Sequence, residues 1–384
     1  MSSTPIYLDH AATTPMDARV LEHIVPLMGG SFGNPASRQH QRGREAAAAV
    51  EEARGQVALL LGADPREIVL TSGATEANNL ALRGVVQAPA HAQRPRRILT
   101  ARTEHHAVLE PLDALEASGC EVIRLGVDAR GHIDLDELAS ELARGALLVS
   151  LMAANNETGL LHPLERIGEL CREHGALFHT DATQLVGKQP IDVDRASIDL
   201  LSLSGHKLYG PMGVGALYLR RKRPRVRVEA QLLGGGHEAG RRAGTPNLPA
   251  IAGLGLACAL RAREGPADEA RIAGLRDRFE AGLMGALDGV SVNGDAGCRL
   301  AGHANLAFAG VDADSLLERL IEVQASSSAA CTSALRQPSH VLREHGYDAA
   351  RVASSVRFSL GKGTTVDDVD RAVEALIAAI GSLG

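Results

Sequence analysis

Several polar stretches of this 384-residue chain directly follow short apolar runs, and they hold residue types able to act together in one reaction. "IDLLSLS" (198–204) leads into "GHKLYGPMGVG", which puts Lys207 at the end of a buried strand, beside His206 and among glycines. Burial there lowers a lysine's pKa, and such an amine can form a Schiff base with a carbonyl compound. A lysine that snorkels to the surface would look the same in sequence. "GALFHT" (175–180) leads to Asp181 and, three residues on, to Gln184. "EIVLT" leads into "SGATEANN", a small-residue turn before a helix starting near Thr75. The free N–H groups of such a start, with the Thr75 hydroxyl, suit a phosphate dianion, although a plain turn between strand and helix reads alike. "RRILTA" is followed by Glu104, His105 and His106, and "LLVSLMA" by Asn155 and Asn156.

Taken together these are the parts of a pyridoxal phosphate site: a lysine for the Schiff base, an acid for the pyridine nitrogen, a phosphate cradle and a ring to stack on the cofactor. A carboxylate that keeps the pyridine nitrogen protonated makes the ring an electron sink, and Asp181 has the position for it. Aromatic residues are only 2% of the chain with no tryptophan, whereas histidine occurs 15 times, so His105 is the candidate for the stacking ring. A metal site built from His105, His106 and His179 has no helical His-x-x-x-His or similar spacing behind it. Cys331 stands apart, in "QASSSAACTSALRQPSH" (324–340), among small residues without a hydrophobic period. It reads either as a small buried filler or as a nucleophile on a loop.

Those groups need a scaffold. The runs 67–72, 96–101, 120–125, 146–153, 175–180 and 198–204 are short and β-rich, and helical patterns at 38–61, 107–118, 134–144 and 163–174 lie between them. Such alternation predicts an α/β fold with a mostly parallel, doubly wound sheet, in which ligands bind beyond the carboxyl ends of the strands. From about residue 250 helices dominate, at 248–263, 268–287, 313–323 and 365–382, with brief strands near 304–308 and 355–360. The shift divides the chain into a large domain, 15–258, and a smaller α+β domain made of 1–14 with 259–384.

Hydrophobic residues at 45% and charged residues at 22% describe a soluble globular protein, and a net charge of -6 speaks against nucleic acid as a partner. The basic run "RRKRPRVR" (220–227) follows the apolar "GVGALYL" and reads as a solvated strand end or a local anion site. No run approaches the ~18 apolar residues of a membrane span, and no basic-then-apolar leader is visible. Five cysteines, at 120, 171, 258, 298 and 331, form neither an even set nor a C-x-x-C pair, which fits a reducing compartment, the cytoplasm. The first three sit among apolar neighbours and read as packing residues.

Ten ordered motifs carry a family resemblance: "YLDHAATTP", "FGNPASRQH", "LTSGATEANNLAL", "TEHHAVL", "ANNETG", "HTDATQLVGK", "LSLSGHKLYGPMGVGALYLRR", "GGGHEAGRRAGT", "SSSAACTSALRQPSHVLR" and "SSVRFSLG". From about residue 5 onward the chain resembles the cysteine desulfurases of the NifS/IscS type, in the class V branch of the fold-type I pyridoxal phosphate enzymes. The resemblance implies that Lys207 holds the cofactor, that Ala74, Thr75, Ser204 and His206 hold its phosphate, and that His105 stacks on its ring. It implies further that Asp181 pairs with the pyridine nitrogen and that Gln184 and Asn156 contact the ring-oxygen side. Arg357 of "SSVRF", with Asn156, would bind the substrate carboxylate, and Thr245 of "RRAGT" would reach the phosphate of a neighbouring subunit in a homodimer. Ser328 stands where the family commonly has glycine, and the chain ends at Gly384 without the longer tail seen in part of the family.

The implied reaction takes sulfur from L-cysteine, leaving L-alanine and a persulfide on Cys331 for an acceptor or an iron–sulfur scaffold protein. Lys207 would remove the Cα proton, and His105 would assist as a proton carrier. A selenocysteine lyase or an aminotransferase on the same scaffold, or a non-catalytic sulfur-carrying subunit, are the alternatives that the residues leave open.

Overall fold

A computed structural model describes residues 5–327 and 338–383. All six apolar runs form strands, Ile68–Thr71, Arg97–Ala101, Glu121–Leu125, Leu148–Ser150, Leu177–Asp181 and Leu200–Ser204, joined by a seventh, Gly215–Leu219. In the sheet they lie in the order 68–71, 215–219, 200–204, 177–181, 148–150, 97–101, 121–125. Gly215–Leu219 runs antiparallel to both its neighbours and the remaining pairs are parallel.

Most of these strands are buried along their whole length, so they read as continuous apolar runs rather than alternating ones. Alternation persists in which side each residue packs on. Ile98, Leu148, Leu177 and Leu200 join one cluster with Leu80, Val85 and Leu112, whereas Leu99, Val149, Phe178 and Leu201 join the opposite one with Val57, Leu61 and Leu254. Helices therefore cover both faces, and the two-residue period of the strands decides which helix each side chain meets.

A second sheet is antiparallel, in the order Ser326–Ser327, Ser355–Ser359, His303–Phe308, Val290–Val292. Its own apolar cluster contains Ile272, Phe279, Leu306, Phe358 and Leu376, with Phe279 and Phe358 edge to face at 5.0 Å between centroids. The N-terminal Ile6–Tyr7 strand pairs in parallel with Val323–Gln324, so Ile6 and Leu8 belong to this cluster too.

Two expectations are corrected. The helices read at 248–263 and 268–287 are one helix, Leu248–Ala286, with Pro266 inside it. Gly265 and Pro266 are ordinarily a helix stop, but Arg261 bridges them, donating to Asp268 Oδ2 at 2.5 Å and Glu269 Oε1 at 2.8 Å while its Nε donates to Gly187 O. The helix read at 313–323 ends at Arg319, and Val323 enters a strand. The helix Ala18–Met28, capped by Asp17 and burying Val20 and Ile24, is additional to the helices expected from the sequence. Among the described residues no helix is long and apolar enough to cross a membrane.

At the carboxyl end of the large sheet two backbone segments touch. A Cβ on Gly215 would fall 2.7 Å from Gly73 Cα, because the Gly73 turn lies directly on the 215–219 strand. Gly215→Ala is therefore expected to lose about 1–3 kcal/mol by overpacking, read as a lower urea midpoint with an unchanged slope; an unshifted midpoint would contradict the packing described.

Candidate active site

The carboxyl ends of the parallel strands open into a cavity of about 630 Å³. It is lined by Ala74, Thr75, His105, Asn156, Asp181, Gln184, Ser204, His206, Lys207 and Arg357, so residues scattered over 284 positions of sequence meet at one place. Thr245 is the exception among the described candidates: it lines a smaller cavity of about 250 Å³ that shares Ser72 and Gly213 with the first. Cys331 and Ser328 lie outside the described residues.

Lys207 reaches its place because the buried Leu200–Ser204 strand passes directly into a one-turn helix, Gly205–Lys207. Its Nζ donates to Ala11 O and Ala12 O, both at 2.6 Å. The N-terminal segment that supplies those carbonyls is itself fastened to the turn: Thr14 donates from N and Oγ1 to His206 O, and Tyr209 N donates to Thr14 Oγ1. Gln184 Nε2 donates to the same Ala11 carbonyl at 2.9 Å. His206 Nδ1 lies 3.1 Å from Thr13 Oγ1. Burial, and then the Lys207 charge, push His206 down to about 4, so it is neutral at physiological pH.

The turn before the Ala74–Gln87 helix is built for an anion. Gly73 has φ +155° and ψ −178°, a conformation open essentially only to glycine, and no side chain caps the helix. Gly73, Ala74, Thr75 and Glu76 line the cavity at the helix end that favours negative charge. Glu76 would oppose an anion there, but Ser72 N donates to it and Arg242 pairs with it, each at 2.9 Å. Burial alone would raise its pKa; the bonds from Arg242 and Ser72 outweigh that and hold it below the usual carboxylate value.

Asp181 ends its strand with Oδ2 accepting from Asn78 Nδ2 at 2.7 Å and Oδ1 accepting from Thr183 N at 3.0 Å. Both oxygens are thereby oriented. His105 caps the next helix: its Nδ1 accepts from Ala107 N at 3.0 Å. An N–H aimed at Nδ1 keeps that atom unprotonated, and burial lowers the ring's pKa, so the neutral ring carries its proton on Nε2. Its neighbour Glu104 does not line the cavity. It is fully buried, accepts from Met152 N at 2.6 Å, and burial raises its pKa well above normal. His179 is held between Ser150 and Ser202 within the sheet, and Asn155 braces its own turn through Glu157 N and Thr158 N.

Arg357 comes from the other sheet and is only 2% exposed. It donates to Asp9 Oδ1 at 2.8 Å and to Asn156 O at 3.2 Å. Glu157, next along, is 3% exposed; burial raises its pKa to about 7, against the opposing influence of Ser339 and Arg357. Sequence reasoning assigned no role to Asp9, Asn78, Glu76, Arg242 or Glu157. All five lie inside the quoted motifs, where their presence was the only signal. Among the described residues no group of three or more His, Cys, Asp or Glu side chains could hold a metal ion. Cys171 and Cys258 are buried, and burial pushes both thiols up, Cys258 to about 12.

The residues fit pyridoxal phosphate. A lysine amine, an oriented carboxylate, a neutral ring and an uncapped helix end converge on a cavity of the size that takes small cofactors.

Comparison with known proteins agrees. The family described as Aminotransferase class-V matches residues 6–372. "Cysteine desulfurase IscS" of Anaeromyxobacter sp. (strain Fw109-5) is 48% identical over 379 residues, 99% of this chain and 93% of that protein. The protein of the same name from Shewanella woodyi is 49% identical over 381 residues, with the same coverage. Among solved structures, one described as "NIFS-LIKE PROTEIN" superposes with a TM-score of 0.91 at 33% identity, covering 99% of this chain and 100% of that one. Another, "SspA in complex with cysteine", gives 0.81 at 35% identity over 94% and 99%.

The Glu157 carboxyl has a pH signature. Its folded pKa of about 7 lies above the unfolded value of 4.5, so the folded state holds the extra proton between them. The resulting stabilisation is present below pH 4.5 and is lost as pH rises through 7, roughly 3 kcal/mol at most. Glu157→Gln, which keeps an oxygen for Ser339, is expected to flatten the fall in unfolding free energy between pH 5 and 8; a slope identical to the parent protein's would refute it.

Proposed function

We propose, for a chain that belongs to the class V aminotransferase family and is a cysteine desulfurase, that L-cysteine binds in the Lys207 cavity and gives up its sulfur to Cys331. The observation that carries the reading is the meeting, in one cavity, of Lys207, Asp181, the uncapped start of Ala74–Gln87 and Arg357. The structure related to this chain that is described as holding cysteine supports the choice of substrate.

Each residue has work that follows from its geometry. The first turn of Ala74–Gln87, with the Thr75 hydroxyl, Ser204 and His206, would hold the phosphate of pyridoxal phosphate. Asp181, whose oxygens are oriented by Asn78 and Thr183, would supply the carboxylate for a protonated pyridine nitrogen. His105 would cover the ring, and Gln184 and Asn156 would serve its oxygen side. When bound, the cofactor supplies the electron sink for charge left at the substrate Cα. Arg357 receives the substrate carboxylate as a planar fork of donors, beside Asn156. Lys207 Nζ, the amine that would hold the cofactor, would remove the Cα proton and hold it. His105 moves protons through Nε2 at the substrate sulfur. The Cys331 thiolate attacks that sulfur and the carbon–sulfur electron pair passes to Cβ, which takes the substrate thiol's proton carried by His105. Lys207 returns its proton to Cα, and L-alanine leaves with a persulfide on Cys331.

Beyond the single chain we propose a homodimer in which Thr245 serves the partner's phosphate site. Its place in a separate cavity beside the first agrees with a role outside its own site. The persulfide passes to a sulfur acceptor or an iron–sulfur scaffold protein. Cytoplasmic residence fits the four free cysteines among the described residues.

Cys331→Ala is expected to lower alanine release by roughly 10³-fold or more while the cofactor's absorbance stays. Normal alanine release, or a persulfide mapped by mass spectrometry to another cysteine, would sink the assignment. Lys207→Ala is expected to keep the circular dichroism of the parent and lose both the bound-cofactor absorbance and turnover; retained turnover would count against Lys207 as the proton acceptor.

A further inference from the structure

One cation close to the cavity has no part in the steps above. Lys188 ends the motif "HTDATQLVGK" and follows Asp181 through tight turns, in which Leu185 N and Val186 N donate to Ala182 O and Lys188 N donates to Leu185 O. Gly187 takes φ +77° there and its carbonyl accepts from Arg261 Nε at 2.7 Å, so the turn is clamped immediately before Lys188. The side chain then folds back, and Nζ donates to Gln184 Oε1 at 3.0 Å. Among the described residues this is its only hydrogen bond, and no carboxylate forms an ion pair with it. The place is a poor one for a charge. Burial is the largest cause that lowers the amine's pKa, Glu269 opposes it, and Lys207, Arg261 and Arg357 add to it, leaving a value of about 8. Glu269 Oε1 already accepts from Arg261, and the two rings on which Lys188 acts, His10 and His303, are neutral. At pH 7 the amine is still protonated.

The partners of Gln184 permit one orientation of its amide. An ammonium group only donates and a carbonyl only accepts. Lys188 therefore requires Oε1 on its side, and Ala11 O requires Nε2 on the other, which donates to it at 2.9 Å. One N–H of Nε2 is left over, and Gln184 lines the cavity, whereas Lys188 does not. We propose that Lys188 is a positioning residue for the desulfurase reaction, which fixes and polarises the Gln184 amide as a donor to the ring oxygen of pyridoxal phosphate. This rests on the place given above to Gln184. An uncharged side chain of the same length would fill the space without burying a charge among three others of its sign. What the ammonium adds is a charge-assisted hydrogen bond at Oε1, which strengthens the N–H at the other end of the amide. A strong donor at the ring oxygen favours the deprotonated chromophore, so losing it raises the pH at which the bound cofactor's visible absorbance changes.

The test compares the parent holoenzyme with Lys188→Met, Gln184→Leu and the double variant. Each is titrated with pH while the visible absorbance of the bound cofactor is followed, and the dissociation constant of pyridoxal phosphate is measured beside it. Lys188→Met is expected to raise the absorbance midpoint by about half a pH unit or more and to weaken cofactor binding roughly threefold or more. Gln184→Leu raises the midpoint at least as far, and the double variant stays at the Gln184→Leu value, because Lys188 acts through that amide. An unmoved midpoint in Lys188→Met overturns the proposal. So do shifts that add in the double variant, since Lys188 then acts independently of Gln184. Lys188→Gln, which keeps a neutral donor, is expected to fall between the parent and Lys188→Met; if Lys188→Met does not fold, an unmoved midpoint in Lys188→Gln overturns the proposal in its place. Failure of the Gln184 reading shows separately, as a Gln184→Leu midpoint equal to the parent's.

Discussion

A guanidinium buried to 2% exposure has to be compensated where it lies, and the compensation of Arg357 draws together parts of the chain that are far apart. Asp9 comes from 348 residues upstream, Asn156 from the loop after the Leu148–Ser150 strand, and Arg357 itself from the antiparallel sheet. Removing a charge partner at such a site leaves an uncompensated buried charge, a loss of about 3–5 kcal/mol. The N-terminal segment therefore cannot detach freely. It runs from its parallel pairing with Val323–Gln324, past Asp9, to Ala11 and Ala12, whose carbonyls receive the Lys207 ammonium. One strap thus compensates both cations of the cavity and joins the two sheets.

Much of the fold was legible because its strands are short apolar runs and its helices separate them. Each of the six expected strands forms, within a few residues of the expected bounds. What escaped reading depends on contacts that composition does not show. Gly215–Leu219 looked only like an apolar lead-in to the basic run, yet it is the antiparallel strand that holds Ile68–Thr71 in the sheet. Two of the six cations of the basic run are paired locally: Arg220 with Asp194 at 3.0 Å, and Lys222 with the same carboxylate. The uninterrupted Leu248–Ala286 helix defied the Gly265–Pro266 signal because Arg261 reaches across it, and one helix then packs on two apolar clusters, through Leu254 and Cys258 at one end and Ile272 and Phe279 at the other.

The site divides in the same way. Lys207, Asp181, Thr75 and His105 could be found because each stands just beyond an apolar strand, where an open parallel sheet presents its ligands. Arg357 and Thr245 carried no such mark and were named through family resemblance alone. Asn78, Asp9 and Glu157 were missed because their parts are relational. Asn78 matters through Asp181, 103 residues away, and Glu157 through Ser339, 182 residues away. No spacing rule links residues so separated; only the topology does.

The electrostatics of the cavity explain why histidine can stand in for the scarce aromatic residues. His206 and His10 are pushed down to about 4, His303 far below normal and His105 below normal, with burial the largest cause in each case. The nearby cations add to it: Lys207 acts on His105, His206 and His303, while Lys188 acts on His10 and His303. These rings are neutral at physiological pH. Besides the Lys207 amine, positive character is left at two separated places, the uncapped helix start at Ala74 and the Arg357 fork, while Glu76 is tied to Arg242. A ligand with a phosphate at one end and a carboxylate at the other would find a favourable place for each anion. His105, proposed above to cover that ligand, is neutral for the same reason and holds its proton at Nε2 because Ala107 N occupies Nδ1. Phenylalanine at that position could cover a flat ligand equally well, but it would have no proton to move.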